Sequence, residues 1–448
     1  MTRGLDVAGR ETQRRSAKMM NRRDALAALT GGTLSLVDVG HPLSAAPGKT
    51  ARPAERISRN GSGRATAYAE ANKIVTVGDR THVTWLDSVA DGFRVRIRTL
   101  DRRTNRWSQT ATVGKAHDNH GGPSLTVDSR GHLHVVYFPH HHAFRYRRSL
   151  RPNDASAWSE EVRFGEKLTY PTLACGHDDT LYLTARRSWK NKPWVVEMWR
   201  KPVGKSWEQV GTILRSRATG YSHFQEALAW SPDHRTLHLS CRFYENGGAV
   251  EVIGYMKSDD FGRTWRRRDG SVIRQPATGE TIDVIAVGGR SPGKKSHKCG
   301  TIAVDREGTP IIVYSSSGGS IPEMIVATPG RSGWHRRGLA AAMQRHWPGW
   351  RIGPAAEVVV NRQGTMYVSA TMSQEEQNDI VLIKSTDLGQ TISVERPAAG
   401  LDQKKKWLPN LERPTGHHVV GGRPGVVFTA GTRGKGNSDI LANQVFWS

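Results

Sequence analysis

One short pattern recurs along the 448-residue chain and limits its fold more than any other feature. A turn built on Asp or Gly leads into a strand in which apolar and polar residues alternate. Copies stand at Val77–Trp85, Val127–Tyr137, Cys175–Ala185, Ser231–Arg242, Val304–Tyr314, Asn361–Ala370 and Gly422–Thr429. Their starts are separated by roughly 50 to 75 residues, the spacing of a repeat architecture rather than of unrelated hairpins. Most copies lead to a second strand and a tryptophan, as at Asn105–Ser108, Lys205–Glu208 and Ser332–His335. After residue 60 no ten-residue stretch has the 3.6-residue period of a helix, and 47 glycines and 14 tryptophans suit many short strands and turns. The pattern predicts an all-β fold: a seven-bladed β-propeller of four-stranded antiparallel blades over residues 65–448, after a linker at 47–64. Short copies are easily missed, so six and eight blades are the neighbouring counts.

A second motif sharpens the fold. Ser258-Asp259-Asp260-Phe261-Gly262-Arg263-Thr264-Trp265 fits S-x-D-x-G-x-T-W, the Asp-box hairpin of sialidase-type propellers, and Ser385–Thr391 is a weaker copy. The Asp carboxylate accepts hydrogen bonds from the turn backbone, the Gly takes a positive φ, and the Trp packs between blades. The motif specifies architecture and carries no chemistry.

Charge and composition bound the function. The chain holds 65 Lys+Arg against 41 Asp+Glu, a formal charge of +24, which implies a polyanionic partner if it does more than keep the protein soluble. No run of 18 apolar residues exists, so no spanning helix and no membrane partner are expected. Three cysteines exclude a disulfide framework. Near the N-terminus, Asn21-Arg22-Arg23-Asp24 precedes a modest apolar stretch, with small residues at Ser44-Ala45-Ala46. Residues 1–46 therefore read as a twin-arginine-like signal segment, placing the protein in the periplasm or outside the cell. Its removal takes seven Lys/Arg and four Asp/Glu and leaves +21 on the remaining chain. A nucleic-acid partner is not expected for an exported chain without a base-stacking motif, and the protein is expected to act as a monomer.

Propellers bind ligands near the axis, in the connections that lead into and out of inner strands. His120 enters one blade and His140-His141-His142 follows its strand; Tyr170 enters the next blade, whose strand ends at Arg186-Arg187. Neighbouring blades would thus present His120, His140, Tyr170 and Arg186 to one groove. Singly, each has an ordinary structural explanation, as a packed aromatic or an ion-pair partner; together they form a constellation.

The run His120-x-x-Pro123, Asp128-x-x-Gly131-x-Leu133-His134-Val135, His140 and Phe144–Ser149, with Tyr170-Pro171 and Arg186, resembles the BNR-repeat propellers that include ulvan lyases, polysaccharide lyase families 24 and 25. The resemblance implies cleavage of a sulfated, uronate-containing polysaccharide by β-elimination. It also implies that His120, His140, Tyr170 and Arg186 are catalytic-groove residues. Tyr221, His141 and Arg187 are candidate substrate contacts.

The residue types suit that chemistry on their own. Elimination across C4–C5 of a uronate needs a cation on the carboxylate, a base for the C5 proton and an acid for the leaving O4. Arg186 offers the bidentate guanidinium, His120 a neutral imidazole base, Tyr170 an acid and His140 an orienting group. In a syn elimination one tyrosine serves as both base and acid, so the division of roles stays open. Catalysis in this form requires no cofactor. Some relatives carry a structural zinc, for which His223, Cys241 and His297, in neighbouring blades, are the candidate ligands. Without C-x-x-C spacing, the competing reading is free cysteines buried as small hydrophobes. Further substrate contacts are expected at Arg345–Arg351 and Asn410–Arg413. The rivals are a sialidase-type glycoside hydrolase, weakened by the lack of Arg-Ile-Pro near the first blade, and a non-catalytic propeller lectin for acidic glycans.

Overall fold

The computed structural model describes residues 53–138, 140–318, 322–353, 356–401 and 405–448. The expected signal segment, 1–46, lies outside them. Strand follows strand with antiparallel pairing throughout the sheets. Among the described residues no helix is long and apolar enough to cross a membrane.

The strands fall into seven successive groups, called blades 1 to 7 here, whose innermost strands are Ile74–Val77, Ser124–Val127, the second half of Val162–Cys175, Ala227–Trp230, Ser296–Val304, Glu357–Val360 and Lys406–Leu411. From blade 1 to blade 7, each inner strand touches the next. Asn410 joins the last to the first: its Oδ1 accepts from the Lys73 backbone N–H at 3.0 Å and its amide donates to Ala71 at 3.1 Å. Each recurring Asp/Gly turn connects the inner strand of a blade to the second. The alternating period appears as burial on both faces, because each blade is covered by two neighbours. In Phe144–Arg148, Phe144 and Tyr146 enter the core while Arg145 lies over Phe138 and pairs with Glu161 at 3.1 Å.

The ring closes with a strand from the start of the chain. Glu55–Gly61 pairs with Asn443–Trp447 as the outermost strand of blade 7. The expected linker at 47–64 is corrected accordingly. A closing strand lies outside the repeat and shares none of its turn signals, so periodicity does not reveal it.

Both Asp boxes form. Asp260 accepts from the N–H groups of Arg263 and Thr264 and from the Thr264 hydroxyl at 2.7 Å, Gly262 takes φ +85°, and Trp265 is wholly buried. Asp387 repeats these bonds with Thr391. Trp265 joins the cluster between blades 3 and 4 with Met198, Phe243 and Met256. Replacing Trp265 with Ala should lower unfolding free energy by about 3–5 kcal/mol in urea titration, and a loss under about 1 kcal/mol would show that the ring does not lock blades together.

Candidate active site

The strand Val162–Cys175 serves two blades, and that sharing builds the site. Its first half pairs with His140–Arg148 as the outer strand of blade 2; its second half pairs with Leu181–Arg187 as the inner strand of blade 3. Thr169 lies opposite both His140 and Arg186, so three strands place these residues in one row. Between Thr169 and Thr172 the register slips, and the extra residues, Tyr170-Pro171, form a bulge. Tyr170 takes φ +60°, a region costly for a bulky side chain and characteristic of functional sites.

Arg186 is 1% exposed. Its guanidinium carbon lies 4.5 Å from the centre of the Tyr170 ring, 4.7 Å from Trp194 and 5.6 Å from Tyr221, and Nη1 donates to the Ser222 carbonyl at 3.4 Å. Its Nε is buried without a partner. Among the described residues no carboxylate lies within ion-pair distance of it. The two that influence it, Glu70 and Glu226, are themselves buried, and burial raises both carboxyls, Glu226 to about 8. Burial thus pushes both carboxyls toward their neutral forms, which weakens them as counter-charges to the arginine.

Asp118 organises the histidines. Its Oδ2 accepts from His140 Nδ1 at 2.7 Å, and Oδ1 accepts from the His120 backbone N–H at 2.8 Å and lies 3.4 Å from His120 Nδ1. Burial alone would raise this carboxyl, but its bonds to His120 and His140 hold it well below the usual carboxylate range. An ionised carboxylate accepts only, so His140 carries a proton on Nδ1 and Nε2 is the ring nitrogen not engaged by Asp118. The two imidazoles stack with centres 3.9 Å apart. His120 differs from His140 in one respect: an Arg64 N–H faces its Nε2. The same Arg64 nitrogen donates to the Tyr68 hydroxyl at 2.6 Å. Burial, followed by Arg64 and His140, depresses the His120 imidazole, with Asp118 opposing. Tyr68 packs edge-on against Tyr170 at 4.5 Å. Burial raises the Tyr170 phenol, while Arg186 and the Tyr68 hydroxyl pull it down.

The structure therefore brings His120, His140, Tyr170 and Arg186 together. Tyr221 stands at the rim, 56% exposed and 5.2 Å from Trp194, and His141 lies beside His140 with Nδ1 2.5 Å from Ser188 Oγ. Arg187 is the exception. Strand alternation turns it away from Arg186, and it pairs with Glu197 at 2.8 Å. The expected metal set also does not assemble. His223 packs against Tyr170 at 4.9 Å as part of the site wall, Cys241 lies in the core between blades 3 and 4, and His297 packs against Tyr314 and faces the Val287 carbonyl. Placement in neighbouring blades does not by itself bring these three side chains together. Asn410 and Arg413 are buried, bonded to the backbone of residues 68–73, and are structural. Residues 345–350 belong to the connection between blades 5 and 6, where Trp347 and Trp350 pack together at 5.5 Å, and Arg351 begins a two-residue strand paired within blade 6.

Sequence reasoning missed Arg64, Tyr68, Asp118 and Trp194. Asp118 sits two residues before His120 and was within reach of the motif. Arg64 and Tyr68 were not, because they follow the closing strand.

The site thus lies on a bulged strand shared by two blades of an all-β repeat fold, around a buried arginine. The chain belongs to the BNR repeat-containing family, whose model matches residues 65–342. It is 23% identical over 256 residues to an ulvan lyase, PL25, of Pseudoalteromonas sp. (strain PLSV), and spans about half the length of that curated relative, 50% of each chain being aligned. Its fold is similar to the solved PL25 ulvan lyase, with TM-score 0.67, 14% identity, and coverage of 87% of this chain and 94% of that one. The same relative bound to -[GlcA(1-4)Rha3S]- gives TM-score 0.65, again at 14% identity with coverage of 87% and 94%. The polysaccharide lyase Uly1 gives 0.60 at 12% identity, covering 88% and 97%.

The site makes a prediction about pH. Burial, reinforced by Arg186 and its histidine neighbours, pushes the His141 imidazole down to about 4. A depressed histidine stays neutral on acidification, so His141 should remain uncharged from pH 7 to about pH 5. Nitrogen NMR of the ring checks this, and a midpoint at or above the ordinary histidine value would contradict it.

Proposed function

We propose that the protein is a polysaccharide lyase that cleaves a sulfated, uronate-containing polysaccharide such as ulvan by β-elimination, within a seven-bladed propeller. The observation that carries this reading is the buried guanidinium of Arg186, held by aromatic faces and without a carboxylate partner among the described residues. Burying a cation costs several kcal/mol unless a counter-charge arrives. A uronate carboxylate is such a counter-charge, and its planar oxygens match the guanidinium fork. Neutralising it acidifies the C5 proton and stabilises the charge that develops in the transition state.

The proton acceptor in this proposal is His140 rather than His120. Asp118 fixes the His140 tautomer with Nε2 free, whereas Arg64 occupies Nε2 of His120. His120 then positions His140 by stacking. Tyr170, between Arg186 and Tyr68, donates the proton to O4 as the C4–O bond breaks. Trp194 and Tyr221 offer apolar faces to a sugar ring. Both curated and solved relatives named as ulvan lyases, and the relative bound to a GlcA–Rha3S chain, support the choice of substrate.

Incubation with ulvan should produce 4,5-unsaturated uronate ends that absorb in the ultraviolet. Arg186→Ala, His140→Ala and Tyr170→Phe should each lower the rate by about 10²–10⁴-fold with the circular dichroism spectrum unchanged. Depolymerisation without this absorbance would identify a hydrolase, and binding without depolymerisation a lectin. Wild-type rates in His140→Ala with loss in His120→Ala would restore His120 as the base.

A further inference from the structure

At the mouth of the propeller opposite Arg186, the chain that follows the inner strand of blade 7 crosses to blades 2 and 3. The Thr415 carbonyl accepts from the Cys175 backbone N–H at 2.7 Å and from the Thr126 hydroxyl at 2.9 Å, and the His417 N–H donates to Val127 at 3.1 Å. Gly416 permits this approach. A Cβ there would meet the Val127 carbonyl oxygen at 2.3 Å and the Cys175 Cβ at 3.1 Å. The next residue, His417, is thereby laid over the turn that follows Cys175. Its Nε2 lies 2.9 Å from the Gly176 carbonyl oxygen and 3.3 Å from Asp179 Oδ1.

Ligand atoms of Cys175, Asp179 and His417 all lie within 4.8 Å of one another. Asp179 is held in place from behind: the Ser129 N–H and hydroxyl each donate to it at 2.7 Å. A carboxylate has further lone pairs to spare, and such supporting bonds are what orient a metal ligand. A fourth donor stands beside them. The His234 ring centre is 5.4 Å from that of His417, and its Nδ1 is buried with no hydrogen-bond partner.

We propose that Cys175, Asp179 and His417, with His234 as the neighbouring fourth donor, bind one zinc-class divalent ion that staples the far-mouth crossing to blade 3. A mixed set of thiolate, imidazole and carboxylate suits zinc and its cobalt surrogate and does not suit calcium or magnesium, which take oxygen ligands. Binding forms a metal–sulfur bond as the Cys175 S–H bond breaks, and the proton passes to solvent. Asp118, His120 and His140 also bring three donor atoms within the same range. There, however, Arg64 faces His120 Nε2 directly, whereas the cation near the far-mouth cluster, Arg130, is a largely exposed side chain whose Nε lies 4.0 Å from Asp179 Oδ2.

Metal-stripped full-length protein titrated with zinc, and separately with cobalt, tests the proposal. One ion per chain, a higher melting temperature, and a near-ultraviolet sulfur-to-cobalt charge-transfer band are expected. Cys175→Ser and His417→Gln should each abolish or weaken binding by about tenfold or more. In Cys175→Ser the cobalt band should vanish. His140→Ala and Cys241→Ser should bind as wild type. Failure of the wild-type chain to bind either ion would overturn the site. So would a band that survives Cys175→Ser, or one lost in His140→Ala or Cys241→Ser. Activity of Cys175→Ser on uronate polymer should be retained; the metal readouts stand whatever the polymer assay shows.

Discussion

A guanidinium buried without a carboxylate is the constraint around which the rest of the site is arranged. Arg186 is 1% exposed, and among the described residues it lies against three aromatic faces and one carbonyl, with no carboxylate in ion-pair range. Ring faces attract a cation, each by roughly 0.5–2 kcal/mol, which lowers the cost of burial but does not replace a counter-ion. The two carboxyls that couple to it, Glu70 and Glu226, are pushed toward their neutral forms by their own burial. The protein thus holds a positive charge in low-dielectric surroundings, where Coulomb interactions are stronger than in water.

The backbone explains how this charge comes to face two histidines and a tyrosine. One strand belongs to two blades, so a single residue, Thr169, is the cross-strand neighbour of both His140 and Arg186. The bulge beside it rotates Tyr170 out of register and into the row. Asp118 then sets the tautomer of His140, and Arg64 removes the outward lone pair of His120 from use. Two stacked histidines thereby acquire different hydrogen-bond partners, and the proposed division of labour between them rests on that difference.

The blade repeat made much of this legible in the sequence. Because each copy enters and leaves the propeller at equivalent points, His120 and Tyr170 could be matched as entries and His140 and Arg186 as exits. The repeat could not reveal Arg64 and Tyr68, which arrive with a closing strand that pairs across the whole length of the chain. It also misled where only adjacency was used. Arg187 follows Arg186 in sequence but faces the other way, and His223, Cys241 and His297 occupy neighbouring blades at unrelated depths. Period-two alternation corrects the first error; the second needs three-dimensional distances. The far-mouth cluster was illegible for the same reason, since Cys175 and His417 lie 242 residues apart and meet only because Gly416 has no side chain.

The claim that the buried arginine serves an elimination is tested most directly by cutting the polymer in heavy-oxygen water and weighing the products. An elimination breaks the C4–O bond without adding water. The account predicts unsaturated ends that carry no heavy oxygen derived from the cleavage, together with fragment masses that sum to that of the parent chain. Products whose summed mass exceeds that of the parent by one heavy water per cut, with the heavy oxygen on one of the two new ends, would contradict it and would make Arg186 part of a hydrolase.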